Sequence, residues 1–115
     1  MKLEHWNYMN NEIIFKIGKS ASENTCIIKD AEQDDIWFHA QHDSSCHVVT
    51  KLPENITKKE KQTILKRGAL LCKQHTNKLK SLQNVVIIYT SIKNITPTKI
   101  PGEVKIAGNT KSVVI

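Results

Sequence analysis

The fold is decided by residues 35–50, which read DIWFHAQHDSSCHVVT. Both ends of this stretch are rich in aromatic and β-branched side chains, a composition typical of strands. We therefore expect strands at residues 36–39 and 46–50, joined by a polar loop at residues 40–45. The centre of the chain thus predicts part of a β-sheet.

The N-terminal third of the chain predicts two further strands and a short helix. Residues 2–8 and 12–17 flank a turn that contains asparagine, which tolerates the positive φ of a hairpin turn. Ser20 and Glu23 have the spacing of a capping box, which marks the start of a helix. The buried stripe of that helix includes Asn24, so its amide needs hydrogen-bond partners.

The C-terminal half predicts a longer helix and four more strands. Thr57 and Glu60 form the clearest capping box in the sequence, and the helix that they begin has an apolar stripe containing Ile64 and Leu71. The strands are expected at residues 85–89, 92–95, 103–106 and 111–115.

The predicted order of elements is β-β-α-β-β-α-β-β-β-β. We expect an α+β fold in which two helices pack on one face of a mostly antiparallel sheet. No internal repeat or linker interrupts the chain, so residues 1–115 are expected to form a single domain with an N-terminal hairpin at residues 1–18.

The composition is that of an ordinary globular protein. Of 115 residues, 39% are hydrophobic and 24% are charged, which excludes a disordered chain, a collagen-like repeat and a coiled-coil rod. No apolar run approaches the roughly 20 residues that a membrane span requires, and no secretory signal is evident at the N-terminus. Three cysteines are an odd number and favour reduced thiols. We therefore expect a cytoplasmic protein, with the nucleus as the alternative, and no membrane partner.

Positive charge is concentrated in the second half of the chain. The formal net charge is +6, but residues 1–50 hold four lysines and eight acidic residues, whereas residues 51–115 hold thirteen Lys and Arg and three acidic residues. This asymmetry predicts a polyanionic partner, most simply a nucleic acid. The alternative is that the lysines only solvate the surface of a small protein.

The candidate phosphate contacts come from this basic set and from the start of the first helix. Lys59, Lys66 and Lys73 recur every seven residues on one face of the second helix. Lys19 precedes the first helix, whose N-terminus can hold one phosphate. The full set is Lys19, Lys51, Lys59, Lys66, Arg67, Lys73, Lys93 and Lys99. Few aromatic side chains accompany them, which favours phosphate and shape contacts over the reading of single bases.

Metal-binding and catalytic interpretations are weaker. The zinc candidates are His39, His42, Cys46 and His47. Cys46 and His47, however, must point to opposite faces of one strand. Cys72 and His75 lie three residues apart on a helix, but their stripe is apolar, where thiols are usually inert. We therefore expect no metal, no cofactor and no catalytic activity.

Five short motifs occur in the order found in one known family. They are Gly18-Lys19 followed by Asn24, Asp35-Ile36-Trp37-Phe38-His39, His47-Val48-Val49, Val86-Ile87-Ile88-Tyr89-Thr90, and Pro101-Gly102-Glu103-Val104. Together, over residues 12–115, they resemble the NFACT-R domain. That family is the RNA-binding module of ribosome-quality-control factors and also occurs in a small coiled-coil-domain-containing protein. One departure is Ser44-Ser45-Cys46-His47, where the family usually has Pro-Gly-Ser-His.

The resemblance implies a non-catalytic, stand-alone module that binds tRNA or ribosomal RNA. Its signature residues here are Gly18, Asn24, Asp35, Trp37, His39, His47, Pro101 and Gly102. The strand assignments let His39 and His47 approach each other on adjacent strands, with Asn24 nearby. This group is either an RNA-contacting cleft or a hydrogen-bonded network that joins sheet and helix. The functional alternatives are an adaptor that docks on a ribosome-associated protein and a general DNA or polyanion binder, and the oligomeric state is open.

Overall fold

A computed structural model describes residues 1–115 and contains eight strands, two α-helices and one short 3₁₀ turn. The strands are β1 Lys2–Tyr8, β2 Asn11–Gly18, β3 Ile36–Ala40, β4 His47–Thr50, β5 Val86–Ser91, β6 Ile95–Pro97, β7 Val104–Ile106 and β8 Lys111–Val114. The helices are α1 Ala21–Lys29 and α2 Lys58–Gln74, and the 3₁₀ turn is Ile92–Asn94. This order confirms the α+β class and the predicted succession of elements. No helix has both the length and the apolar character needed to cross a membrane.

Six strands form one antiparallel sheet in the order β1-β2-β4-β3-β5-β8. The central hairpin β3–β4 pairs Trp37 with Val49, and β5 pairs Ile88 with His39. β6 and β7 form a separate two-stranded antiparallel sheet. The predicted mostly antiparallel sheet is therefore confirmed.

Local signals explain where the elements begin. Met9 and Asn10 have φ values of 49° and 64°, which is the backbone of a two-residue hairpin turn between β1 and β2. Thr57 and Glu60 make both hydrogen bonds of the predicted capping box at the start of α2. Ser20 caps α1 by accepting a backbone hydrogen bond within the first turn.

The two helices lie on opposite faces of the six-stranded sheet, so the prediction that both pack on one face is wrong. α2 covers the face that contains Phe38 and Val48, whereas α1 covers the face that contains Trp37 and Val49. Successive side chains of a strand point to opposite faces, and these neighbours are all apolar. A strand with such a continuous apolar run needs cover on both faces.

One predicted strand is also partly wrong. Within residues 92–95, Ile92–Asn94 forms the 3₁₀ turn and β6 starts only at Ile95. Ile92 and Ile95 both pack into the core beneath α1. Because residues three apart share one side of a 3₁₀ turn, that conformation buries both side chains where a strand would separate them.

The loop between β6 and β7 docks on α1. The Gly102 N–H donates to Thr25 Oγ1 at 2.9 Å. Gly102 has a φ of 80°, and a Cβ atom at this position would lie 3.1 Å from Ala21. Glycine is therefore favoured here by both the backbone conformation and the close approach, and the loop is held beside the N-terminus of α1.

Candidate nucleic-acid interface

An open cleft of about 610 Å³ lies at one end of the six-stranded sheet. It is bounded by the N-terminus of α1, the β3–β4 loop, the segment that follows α2, and the β6–β7 loop. Six residues from the predicted phosphate contacts and family signature line it, namely Lys19, Asn24, His39, His47, Pro101 and Gly102. The fold therefore gathers at one place residues that are up to 83 positions apart in the chain.

His47 lies at the start of β4 and is oriented by Trp37. Its Nδ1 accepts a 3.1 Å hydrogen bond from Trp37 Nε1, and the two rings are nearly perpendicular. The side chain of His47 is only 2% exposed. Burial, with a contribution from the neighbouring His39, lowers the pKa of His47 to about 3. The imidazole is therefore neutral at physiological pH, and Trp37 acts behind the cleft as a positioning residue.

His39 lies beside His47 on the adjacent strand, as the strand assignments predicted. Its ring stacks on Trp37 with 5.5 Å between centroids and meets the His47 ring edge-on at 4.9 Å. His39 Nδ1 lies 2.6 Å from the Ala40 carbonyl oxygen. Burial lowers the pKa of His39, and the positive charge of Lys78 adds to this effect.

Asn24 joins α1 to the start of β4. Its Oδ1 accepts a 3.2 Å hydrogen bond from the backbone N–H of His47, which supplies the partner that the buried amide needs. Gly18 allows this approach, because a Cβ atom there would lie 2.3 Å from Asn24 Oδ1. Gly18 and Asn24 therefore fix the position of the His47 backbone.

The rim of the cleft carries two lysines and a third histidine. Lys78 Nζ donates to Ser44 Oγ at 2.9 Å, which ties the segment after α2 to the β3–β4 loop. Burial lowers the pKa of His75, and the charges of Lys19 and Lys2 lower it further. Glu4 Oε1 lies 3.9 Å from His75 Nε2 and opposes this effect, but none of the fifteen residues that line the cleft is acidic.

The N-terminus of α1 is partly occupied by the protein's own side chains. Ser20 Oγ accepts from the Glu23 N–H at 3.2 Å, and Glu23 Oε1 accepts from the Lys19 N–H at 3.0 Å. The hydrogen bond from Lys19 is the main reason why the pKa of Glu23 is lowered. Because this carboxylate already sits at the helix terminus, anion binding in the cleft depends on its lysines more than on the helix dipole.

Two cysteines pack at the base of the cleft. Cys46 Sγ donates to the Cys72 carbonyl at 3.3 Å, and Cys72 Sγ donates to the Cys46 carbonyl at 3.4 Å. The hydrogen bond with Cys46 and burial raise the pKa of Cys72. The same contact with Cys72, helped by a hydrogen bond from Thr76, lowers the pKa of Cys46 to about 7, so the two thiols differ in acidity. No group of three or more His, Cys, Asp or Glu side chains is placed to hold a metal ion.

Asp35 lies at the opposite end of β3 from His39, so its assignment to the same cleft is wrong. The four residue steps from Asp35 to His39 span about 13 Å along a strand. Asp35 Oδ2 accepts from the Glu32 N–H at 3.0 Å, and Oδ1 lies 3.6 Å from Lys51 Nζ. Lys51 also pairs with Glu32 at 2.7 Å, and this contact raises the pKa of Lys51. Asp35 therefore stabilises the turn that precedes β3.

The predicted basic residues do not form one continuous surface. Besides Lys51, two of them have partners within the protein: the Arg67 guanidinium lies 5.3 Å from the centre of the Trp6 ring, and Lys73 Nζ donates to the Ile115 carbonyl at 3.3 Å. The others outside the cleft are exposed, with Lys59 and Lys66 on α2, Lys93 in the 3₁₀ turn and Lys99 in the β6–β7 loop. They are divided between the two faces of the sheet.

The sequence interpretation missed the contribution of the segment after α2. His75 was considered only as a partner of Cys72, and Lys78 was not among the candidate phosphate contacts, yet both line the cleft. The available signal is that a polar run, His75–Lys78, directly follows an apolar helix stripe. Nothing local in that run indicates that it returns to the β3–β4 loop.

Similar proteins support the fold and identify the family. The profile of the NFACT protein RNA binding domain matches residues 4–110. Coiled-coil domain-containing protein 25 of Danio rerio is 31% identical over 83 residues, which are 71% of this chain and 40% of that protein. The C-terminal structure of the fibronectin/fibrinogen-binding protein from Streptococcus suis aligns with a TM-score of 0.79 at 22% identity, over 100% of this chain and 45% of that chain, and has the same fold. The chain thus spans less than half the length of either relative. Because the family profile extends over nearly all of the sheet and the cleft, the chain belongs to the NFACT protein RNA binding domain family.

Proposed function

We propose that the cleft binds the sugar–phosphate backbone of a folded RNA, either tRNA or ribosomal RNA, and that the chain acts in ribosome quality control. RNA binding is the property that names the family, and the translation context is proposed from the resemblance of the five motifs to that family. The observation that carries the proposal is the absence of any acidic residue among the fifteen that line the cleft.

The charge of the cleft suits phosphate. Lys19 and Lys78 lie on its rim, and the imidazoles between them are neutral, so the local field is positive. At the other end of the sheet the positive charge of Lys51 is neutralised, since Lys51 is paired with Glu32 there. Phosphate contacts of this kind position a nucleic acid without reading its sequence.

The aromatic side chains favour a folded RNA over an extended single strand. Trp37 is buried, and Trp6 and Tyr8 stack on each other with 4.6 Å between centroids. Arg67 covers the Trp6 ring. Proteins that bind single strands depend on exposed aromatic platforms, which this surface lacks, so we infer that shape and phosphate contacts supply the affinity.

The test is fluorescence anisotropy of the purified chain with a folded tRNA and with a DNA duplex of similar length, across a salt series. If about five phosphates are neutralised, affinity for the tRNA falls several-hundred-fold between roughly 50 and 200 mM salt. Lys78→Met should reduce the slope of log K against log salt by about one. The matched control is Lys66→Met, an exposed lysine on α2 away from the cleft, which should leave the slope unchanged.

Two results would contradict the proposal. Failure to bind either nucleic acid at low salt would favour an adaptor that docks on a ribosome-associated protein. A larger effect of Lys66→Met than of Lys78→Met would place the RNA on the exposed surface of α2 instead of in the cleft.

A further inference from the structure

The two central imidazoles of the cleft present opposite hydrogen-bonding atoms. Trp37 Nε1 can only donate, so its 3.1 Å bond makes His47 Nδ1 an acceptor and leaves the proton of the neutral ring on Nε2. The Ala40 carbonyl can only accept, so its 2.6 Å contact places the proton of the neutral His39 ring on Nδ1 and a lone pair on Nε2. His47 therefore offers a donor and His39 an acceptor.

Neither of these Nε2 atoms has a hydrogen-bond partner within the protein. His47 is 98% buried, since only 2% of its surface is exposed. The only fully enclosed side-chain oxygen or nitrogen without a partner is Asp35 Oδ1. His47 Nε2 is therefore not fully enclosed, and His47 borders two cavities, the cleft and a smaller one of about 290 Å³ that also contains Glu103. Polar atoms in so buried a setting are normally paired, so a ligand that displaces solvent from this position must accept the hydrogen bond of His47.

We propose that His39 and His47 together bind a ribose 2′-hydroxyl and so make the cleft selective for RNA over DNA; this rests on the proposed function of the cleft as an RNA site. A hydroxyl is the smallest group that can both accept from His47 and donate to His39. The two rings meet edge-on with 4.9 Å between their centroids, so they are close enough to contact one small group together. The 2′-hydroxyl is also the group by which a protein distinguishes RNA from DNA.

Other ligand groups fit the pair less well. A phosphate oxygen only accepts, so it suits His47 but meets the lone pair of His39. An ammonium group only donates and is repelled by Lys19 and Lys78 on the rim. The lysines instead suit the phosphates that flank a bound ribose. Burial lowers the pKa of both histidines, so the donor–acceptor pattern persists at physiological pH.

The experiment compares two probes of one sequence: an RNA stem-loop and the same stem-loop with every 2′-hydroxyl replaced by 2′-fluorine, which keeps the A-form helix but cannot donate. The unmodified chain should bind the ribose form about tenfold more tightly, as expected for the loss of a buried hydrogen bond. His39→Phe should lower affinity for the ribose form to that of the fluorinated form and leave the fluorinated form unchanged. Lys78→Met should weaken both forms equally.

The outcomes separate this inference from the proposed function. Equal binding of both probes by the unmodified chain overturns the role of the histidine pair while RNA binding itself stands. Stem-loops with a changed loop sequence provide a second test. If affinity depends on the base sequence and not on the sugar, the role of the histidine pair is overturned as well. If neither probe binds, both proposals fail. The comparison on the unmodified chain needs no variant, so it decides the question even if His39→Phe does not fold.

Discussion

The two faces of the six-stranded sheet bury different kinds of side chain. Beneath α2 lies a continuous apolar core of sixteen buried residues, including Phe38 and Leu65. Beneath α1 the apolar cluster has seven, and beside it the same face carries Asn24, His39 and His47. This difference between the two faces indicates that α2 mainly stabilises the sheet, whereas α1 also positions the polar groups of the cleft.

The alternation of β3 makes this division possible. Phe38 points towards α2, while its neighbours Trp37 and His39 point towards α1. One short strand therefore supplies the apolar core and the cleft at the same time. A substitution on the face beneath α2 should change stability alone. A substitution on the face beneath α1 should also change the geometry of the cleft.

The largest expected effect is on the α2 face, at Gly68. A Cβ atom at Gly68 would lie 2.4 Å from Phe38 Cζ, and the Phe38 ring is fully buried, so any shift of the ring must displace its core neighbours. Gly68→Val should lower the free energy of unfolding by about 3 kcal/mol, measured by urea denaturation. Lys66→Val, at an exposed position of the same helix, should cost only about 0.5 kcal/mol.

The clash with Phe38 can be tested separately. In the double variant Gly68→Val with Phe38→Leu, the total loss should be smaller than the sum of the two single losses, because the smaller side chain makes room. Additive losses would mean that the Phe38 ring does not limit the size of residue 68.

The next effect is on the α1 face, at Asn24. Asn24→Ala leaves the buried N–H of His47 without its acceptor, so stability should fall by about 2 kcal/mol. Amide hydrogen exchange should accelerate at His47 more than elsewhere in β4. Ser22→Ala, an exposed position of α1, should change neither quantity. Unaltered exchange at His47 in Asn24→Ala would contradict the role given to Asn24.

The most gradual effect is the pH dependence that the buried histidines introduce, because it builds up with falling pH instead of appearing as a single loss. The pKa of His47 is about 3 in the folded protein and 6.5 ordinarily, so between these values the unfolded chain binds the proton and the folded one does not. Stability should therefore be constant above about pH 7 and fall as pH drops below 6.5, by at most about 1.4 kcal/mol per pH unit from His47. The lowered pKa of His39 acts in the same direction.

Urea denaturation at pH 7.5, 6 and 5 measures this dependence. His47→Gln should make the decline between pH 6.5 and 5 shallower, and the decline that remains comes from His39 and His75, whose pKa values are also lowered. A decline of equal steepness in that variant would show that another group is responsible.

Local patterns in the sequence predicted most of the elements, because caps, turns and strand composition act over a few residues. Thr57 and Glu60 are an example, since both of their capping bonds are present. The pairing of His39 with His47 was predictable for the same reason: they lie eight residues apart on one hairpin.

The side of the sheet taken by each helix depended on the complete strand order and was predicted wrongly. β4 lies between β2 and β3, so the chain leaves β2 and crosses over before β3 is added. No local signal in α1 encodes that path. The same limit explains why His75 and Lys78 were not placed in the cleft and why Asp35 was, although Asp35 lies at the far end of β3.

The strand order also decides how the molecule would respond to a pulling force. β1 and β8 are the two edges of the sheet, and both Lys2 and Val114 lie at the end that carries the cleft. Five strand spacings separate them, or about 24 Å, and the line between them runs across the strands. Tension applied through the two chain ends would therefore peel the edge strands one hydrogen bond at a time, instead of shearing all of them together. β8 has four residues and β1 has seven, so β8 would detach from the sheet first. Its first hydrogen bonds to break would be those beside the cleft.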